Sequence, residues 1–129
     1  MPVPQTWNRK AMLLVLRGDE TQLAEVVRIF LEEAPRALAS LRDAAERGDT
    51  STMERFAHTL KGDLAYMALP ELGKIAAELE QLSRHGNLDQ ARPLAKALER
   101  AIEQVCVTVK RSAGAEATKS RAAVAGPNS

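Results

Sequence analysis

With 129 residues the chain is long enough for one packed domain, and Ala and Leu are abundant while aromatics are only 3%, a composition that suits close-packed helices better than sheets. Eighteen basic residues against 17 acidic leave a formal net charge of +1, which excludes the strong one-signed field of a nucleic-acid or acidic-membrane binder. The longest purely apolar run, Ala11 to Leu16, is far too short to cross a bilayer.

In chain order, residues 1–7 read as a flexible, proline-bearing leader. Asn8 can cap a short helix through Ala11-Met12-Leu13-Leu14-Val15-Leu16 that ends at Gly18. Such a short, very apolar segment is expected to lie across one end of a larger body. Asp19 can cap the next helix, with a core face of Leu23, Val26, Val27, Phe30, Ala34, Leu38, Leu41 and Ala45. The phase is unbroken across Pro35, so one long helix kinked there is predicted. Gly48-Asp49 forms the turn, and Asp49, Thr50 or Ser51 caps a third helix that closes near Ala68, ahead of Pro70.

Pro70 suits the first turn of a fourth helix facing inward with Leu72, Ile75, Ala76, Leu79 and Leu82 and ending at Gly86-Asn87. His85, at that end, reads as a solvated last-turn residue. The last helix starts near Leu88 and presents Ala91, Leu94, Ala95, Leu98, Ile102, Val105 and Val109, with Cys106 beside that face. A single cysteine builds no disulfide framework, and no secretory signal is visible, so a reducing, cytoplasmic setting is expected. Residues 112–129 carry no periodicity and are predicted to be a disordered tail.

The third helix holds the chemistry. Met53, Phe56, Ala57, Leu60, Leu64 and Met67 fall within about 50° of one direction at the helical repeat, which faces them to a core. His58 then points about 140° away, into solvent. Gly62 and Ala65 follow on nearly the same stripe, and Lys61 stands between the ring and the core face. Glycine in a helix costs about 1 kcal/mol relative to alanine, and it is tolerated where another surface must approach the backbone closely. The plain alternative is a neutral glycine beside a solvated histidine.

Ala57-His58-Thr59-Leu60-Lys61-Gly62, with Ala65, Leu79-Glu80, the upstream Phe30-Leu31-Glu32-Glu33-Ala34-Pro35 and the later Gly48-Asp49, resembles histidine-containing phosphotransfer domains. The resemblance covers about residues 8–110. It implies an all-α fold: an antiparallel, up-down-up-down four-helix bundle over 8–111, with the short N-terminal helix covering one end. It further implies that His58 accepts a phosphoryl group from a receiver-domain aspartate, or from a hybrid histidine kinase, and passes it to another response-regulator aspartate. In that scheme Lys61 counters phosphoryl charge, and Glu80, by its place in the Leu-Glu element, is the candidate to orient the ring. Arg55, Gly62, Ala65 and Tyr66 are the candidate docking residues. The protein would be a monomeric covalent carrier with no cofactor of its own, with Mg2+ expected on the receiver. The chain departs from the family pattern at Asp63, Leu64, Tyr66 and Ala68, where small polar residues and a closing glycine are usual. Asp63 lies about 140° from His58 on the wheel and should not touch a phosphate on the ring.

Other chemistry finds no foothold. No glycine-rich phosphate loop occurs, and His58, His85 and Cys106 are too scattered for a metal-ligand spacing. Membrane and nucleic-acid partners are not expected. Two further readings are a bundle that docks receivers without being phosphorylated, and an interaction module in which Met12, Met53, Met67 and the tail serve a partner helix.

Overall fold

The computed structural model describes residues 7–125, with side-chain surroundings described through Ser112. Five helices follow in order: α1 (Arg9–Val15), α2 (Glu20–Arg47), α3 (Thr50–Tyr66), α4 (Pro70–Arg84) and α5 (Leu88–Ala125). Each long helix packs on its neighbour in sequence, and α5 returns against α2, so α2 to α5 close into an antiparallel four-helix bundle. No strand occurs among the described residues. The short α1 packs on α2.

Local chemistry sets the helix ends. Asn8, Asp19 and Asp49 each accept a backbone N–H of the first turn, at 2.9, 2.9 and 3.1 Å. Asp49 also accepts the Thr52 hydroxyl at 2.6 Å. Of the three candidate caps for α3, Asp49 is the one that serves. Gly48 closes α2 at φ +70°, where a side chain would be strained and its Cβ would press Leu88 at 3.3 Å. The end of α3 is less comfortable. The Ala68 and Leu69 N–H groups donate back to Ala65 and Leu64, the pattern of a Schellman close, but the left-handed residue at φ +55° is an alanine.

The core takes Leu23, Phe30, Leu38 and Leu41 from α2, Met53, Leu60 and Leu64 from α3, Leu72 and Leu79 from α4, and Leu98, Ile102 and Val105 from α5. Leu60 is fully enclosed, so its truncation to alanine should cost about 3 kcal/mol. Ala34, Ala44, Ala57, Ala76, Ala91 and Ala101 are buried among these core side chains. Val26, Ala45, Phe56, Ile75, Leu82 and Leu94, read from the sequence as core, are half-buried at its margin, whereas Ala37, Ala44 and Ala101 lie inside it. Pro35 sits within the continuous α2.

Both ends of the chain add detail to the expectation. Of the predicted leader only Trp7 is described; it is half-buried against the core, and its indole N–H donates to Met12 Sδ at 3.1 Å. Residues 1–6 lie outside the described residues. At the other end α5 runs on to Ala125, into the stretch 112–129 given above as tail. The last buried side chain described is Val109, three residues before that stretch.

Candidate functional site

The turn at Asp49 fixes the rotation of α3, and Met53, Ala57, Leu60 and Leu64 pin its inner face with no exposure. His58 is left outward, its side chain 67% exposed. Across the α3–α4 contact stands Glu80, whose side chain is only 6% exposed because it shares the inner side of α4 with Ala76, Leu79 and Ser83. A buried carboxylate needs partners, and it has three. His58 Nδ1 meets Oε2 at 2.8 Å, Lys61 Nζ donates to Oε1 at 2.7 Å, and Arg84 Nη2 lies 3.5 Å from Oε2.

The electrostatics follow from those contacts. Lys61's hydrogen bond, seconded by that of His58, holds the Glu80 carboxyl below the ordinary carboxylate range, against burial, which pushes it up. An ionised Glu80 can only accept, so Nδ1 must carry the proton. In the neutral ring the other nitrogen, Nε2, is then the one with the free lone pair. Nδ1 faces the buried carboxylate, so Nε2 is turned to the solvent side.

Lys61 has its side chain 40% exposed and reaches inward to Glu80. Gly62 is exposed, and a Cβ built there would meet nothing within 4 Å. Arg55 lies one turn before His58, exposed, with its guanidinium 5.0 Å above the Phe56 ring. Ala65 and Tyr66 are exposed two turns on. His85 is exposed at the end of α4 and makes no side-chain hydrogen bond to the site among the described residues.

Asp63 lies apart. Burial and the nearby charge of Glu33 on α2 raise its carboxyl pKa, and its buried Oδ2 has no hydrogen-bond partner. Asp63 therefore turns toward α2, whereas His58 turns toward α4.

Two features escape a reading of the sequence. Arg84 ties Glu80 to Glu54 of α3, donating through Nε to Glu54 Oε2 at 2.8 Å. Its i+4 spacing from Glu80 was the only available signal. Leu14 and Val15 of α1 are 81% and 78% exposed, though the apolar run containing them read as an end cover. Val15 lines a groove of about 320 Å³ with Met12, Leu16, Val26, Ala65 and Tyr66, so the apolar surface of α1 continues into the histidine helix. A larger groove of about 480 Å³ between α2 and α5, lined by Leu41, Arg42, Arg92 and Lys96 among others, includes no residue of α3 or α4. Among the described residues no three His, Cys, Asp or Glu side chains are grouped to hold a metal ion, and no helix is long and apolar enough to cross a membrane.

Fold and site together define a class: a helical bundle presenting one exposed, carboxylate-held histidine. The family model for the Hpt domain matches residues 25–107, and the chain belongs to that family, whose members serve phosphotransfer in two-component relays. Two solved structures share the architecture. Histidine-containing phosphotransfer protein B (HptB) from Pseudomonas aeruginosa PAO1 is 24% identical with a TM-score of 0.74, over 82% of this chain and 92% of that one. The HPT domain from the Hpt sensor hybrid histidine kinase from Shewanella is 20% identical with a TM-score of 0.75, over 84% of this chain and 93% of that one. At those identities the likeness speaks for the fold alone. No curated protein sequence matches the chain.

Proposed function

We propose that this chain is a phosphorelay intermediate in which His58 accepts a phosphoryl group from a receiver-domain aspartate and hands it to another. The observation that supports this most is the pairing of His58 Nδ1 with the buried Glu80 carboxylate, which makes the outward Nε2 the lone-pair nitrogen of the neutral ring. The Nε2 lone pair attacks the phosphorus of an aspartyl phosphate. The N–P bond forms as the P–O bond to the aspartate breaks, and the aspartate leaves as a carboxylate with that electron pair. The proton on Nδ1 stays in place. The ring gains positive charge, which Glu80 offsets at 2.8 Å. Return transfer runs the same steps backward.

Phosphoryl transfer asks mainly for positioning and charge stabilisation, so a carrier needs few groups. Lys61 supplies the mobile cation for the phosphoryl oxygens, and the receiver brings its own Mg2+. Open space over Gly62 and the small Ala65 let the receiver's active site close over the ring. Arg55 and Tyr66 flank that approach, and the exposed Leu14 and Val15 extend it as an apolar docking surface. The chain acts as a cytoplasmic monomer in this reading. The test is incubation with phosphorylated receiver domains. Phosphate should appear on His58, stable to alkali and labile to acid, and His58→Gln should abolish it; receiver binding without any phosphorylation would favour the docking-only bundle.

A further inference from the structure

Lys61 has a second task that conflicts with the one just described. In the resting protein its ammonium is committed to Glu80 Oε1 at 2.7 Å, on the inner, Nδ1 side of the imidazole. A phosphoryl group on Nε2 lies on the outer side. To meet it, Nζ must leave Glu80, and that carboxylate, with a side chain 6% exposed, then loses its closest cation just when the ring above it needs a firmly placed anion.

One more cation is already at hand. Arg84 Nη2 stands 3.5 Å from Glu80 Oε2, too long for a good hydrogen bond and near enough to become one. Its guanidinium is held there from the other side, because Nε donates to Glu54 Oε2 at 2.8 Å. Glu54 lies one turn before His58 on α3, and Arg84 lies one turn after Glu80 on α4. With Lys61, these five side chains form a bracket across the two helices, in which Lys61 is the detachable member. From α3 the carboxylate of Glu80 faces His58 and Lys61, from α4 Arg84, and it has no ion pair with α5 among the described residues.

We propose that Arg84 is a positioning residue that takes over the charge of Glu80 when Lys61 turns to the phosphoryl group, keeping the carboxylate on Nδ1–H throughout the transfer. Arg84 touches no reacting atom; it acts through Glu80. A planar, always-charged fork anchored on Glu54 suits that task better than a second mobile lysine would. The inference rests on His58 being the phosphoacceptor.

The test uses the 15N-labelled protein before and after treatment with phosphoramidate, with the His58 ring N–H and the Lys61 ammonium followed by NMR and the phosphate by 31P. In the parent, the Lys61 signal should shift on phosphorylation while the Nδ1–H resonance persists. In Arg84→Met that resonance should be present at rest, where Lys61 still holds Glu80, and lost once His58 is phosphorylated. Arg84→Lys should restore it in part. Should Arg84→Met fail to fold, Glu54→Gln, which removes the anchor of Arg84, should broaden the same resonance in the phosphorylated form alone. Persistence of the resonance in phosphorylated Arg84→Met, its loss in both states, or a Lys61 signal unmoved by phosphorylation each overturns the handover. Absence of any phosphohistidine in the parent overturns instead the phosphorelay reading beneath it, and the handover with it.

Discussion

Gly62 sets stability against function, and two substitutions at the same position separate them. It lies within α3 without a positive φ, and a Cβ built on it meets nothing within 4 Å. Alanine there should therefore gain the full helix-propensity difference, about 1 kcal/mol, with no steric offset. For a packed unit of this size that raises the melting temperature by about 4 °C, read by circular dichroism. Glutamine also prefers helix to glycine but projects an amide one turn from His58, on the stripe a receiver must cover. Gly62→Gln should melt no lower than the parent yet accept phosphate from a receiver about tenfold more slowly, the loss of about 1.4 kcal/mol of docking. Phosphoramidate, which needs far less room, should modify the same variant at nearly the parent rate. Receiver transfer to Gly62→Gln at the parent rate would refute the reasoning, because close approach at this stripe would then be unnecessary. A lower melting temperature for Gly62→Ala would show that the helix is not ordinary there.

Three further outcomes follow from the packing. Ala68 holds a left-handed conformation at φ +55° that glycine adopts freely, so Ala68→Gly should raise stability by about 1 kcal/mol in thermal or urea unfolding. Asp63 buries an unpartnered Oδ2 and its carboxyl pKa is raised, so its charged form costs stability at neutral pH; Asp63→Ala should gain about 1 kcal/mol and leave phosphoryl acceptance unchanged. The folded pKa of Glu80 is lowered instead, so its contribution is fully present above its unfolded value near 4.5 and is lost as the pH falls through the folded value. Glu80→Gln should accordingly flatten the acid side of the stability–pH curve measured by urea unfolding.

Sequence and structure agree where a physical rule has one answer. The apolar repeat of α2 to α5 gives their inner faces, and capping chemistry places Asn8, Asp19 and Asp49 at helix starts. The exposure of His58 followed from the same repeat. Glu80 was reached only through its place beside Leu79, since a wheel does not say whether a glutamate at the edge of an apolar face is buried; its burial depends on Lys61 and His58 arriving from α3. Arg84 and Glu54 were invisible for the same reason, as their pairing spans two helices. In α1 the detail was illegible for another reason. A segment apolar on every side has no phase, so nothing in Ala11 to Leu16 told that Met12 would be buried and Leu14 and Val15 exposed. The margin residues Ile75 and Leu82 of α4 yield inward places to Glu80 and Ser83, a rotation of the face that only the α3 contact determines.

The central claim is that Nε2 of His58 is the phosphoacceptor, and it is tested most directly by 31P and 15N NMR of the protein after exposure to a phosphorylated receiver. The account predicts a single phosphohistidine, bonded at Nε2 with the proton retained on Nδ1, absent from His58→Gln although that variant melts within a few degrees of the parent. Phosphate bonded at Nδ1, phosphate persisting in His58→Gln, or no phosphohistidine at all would contradict it.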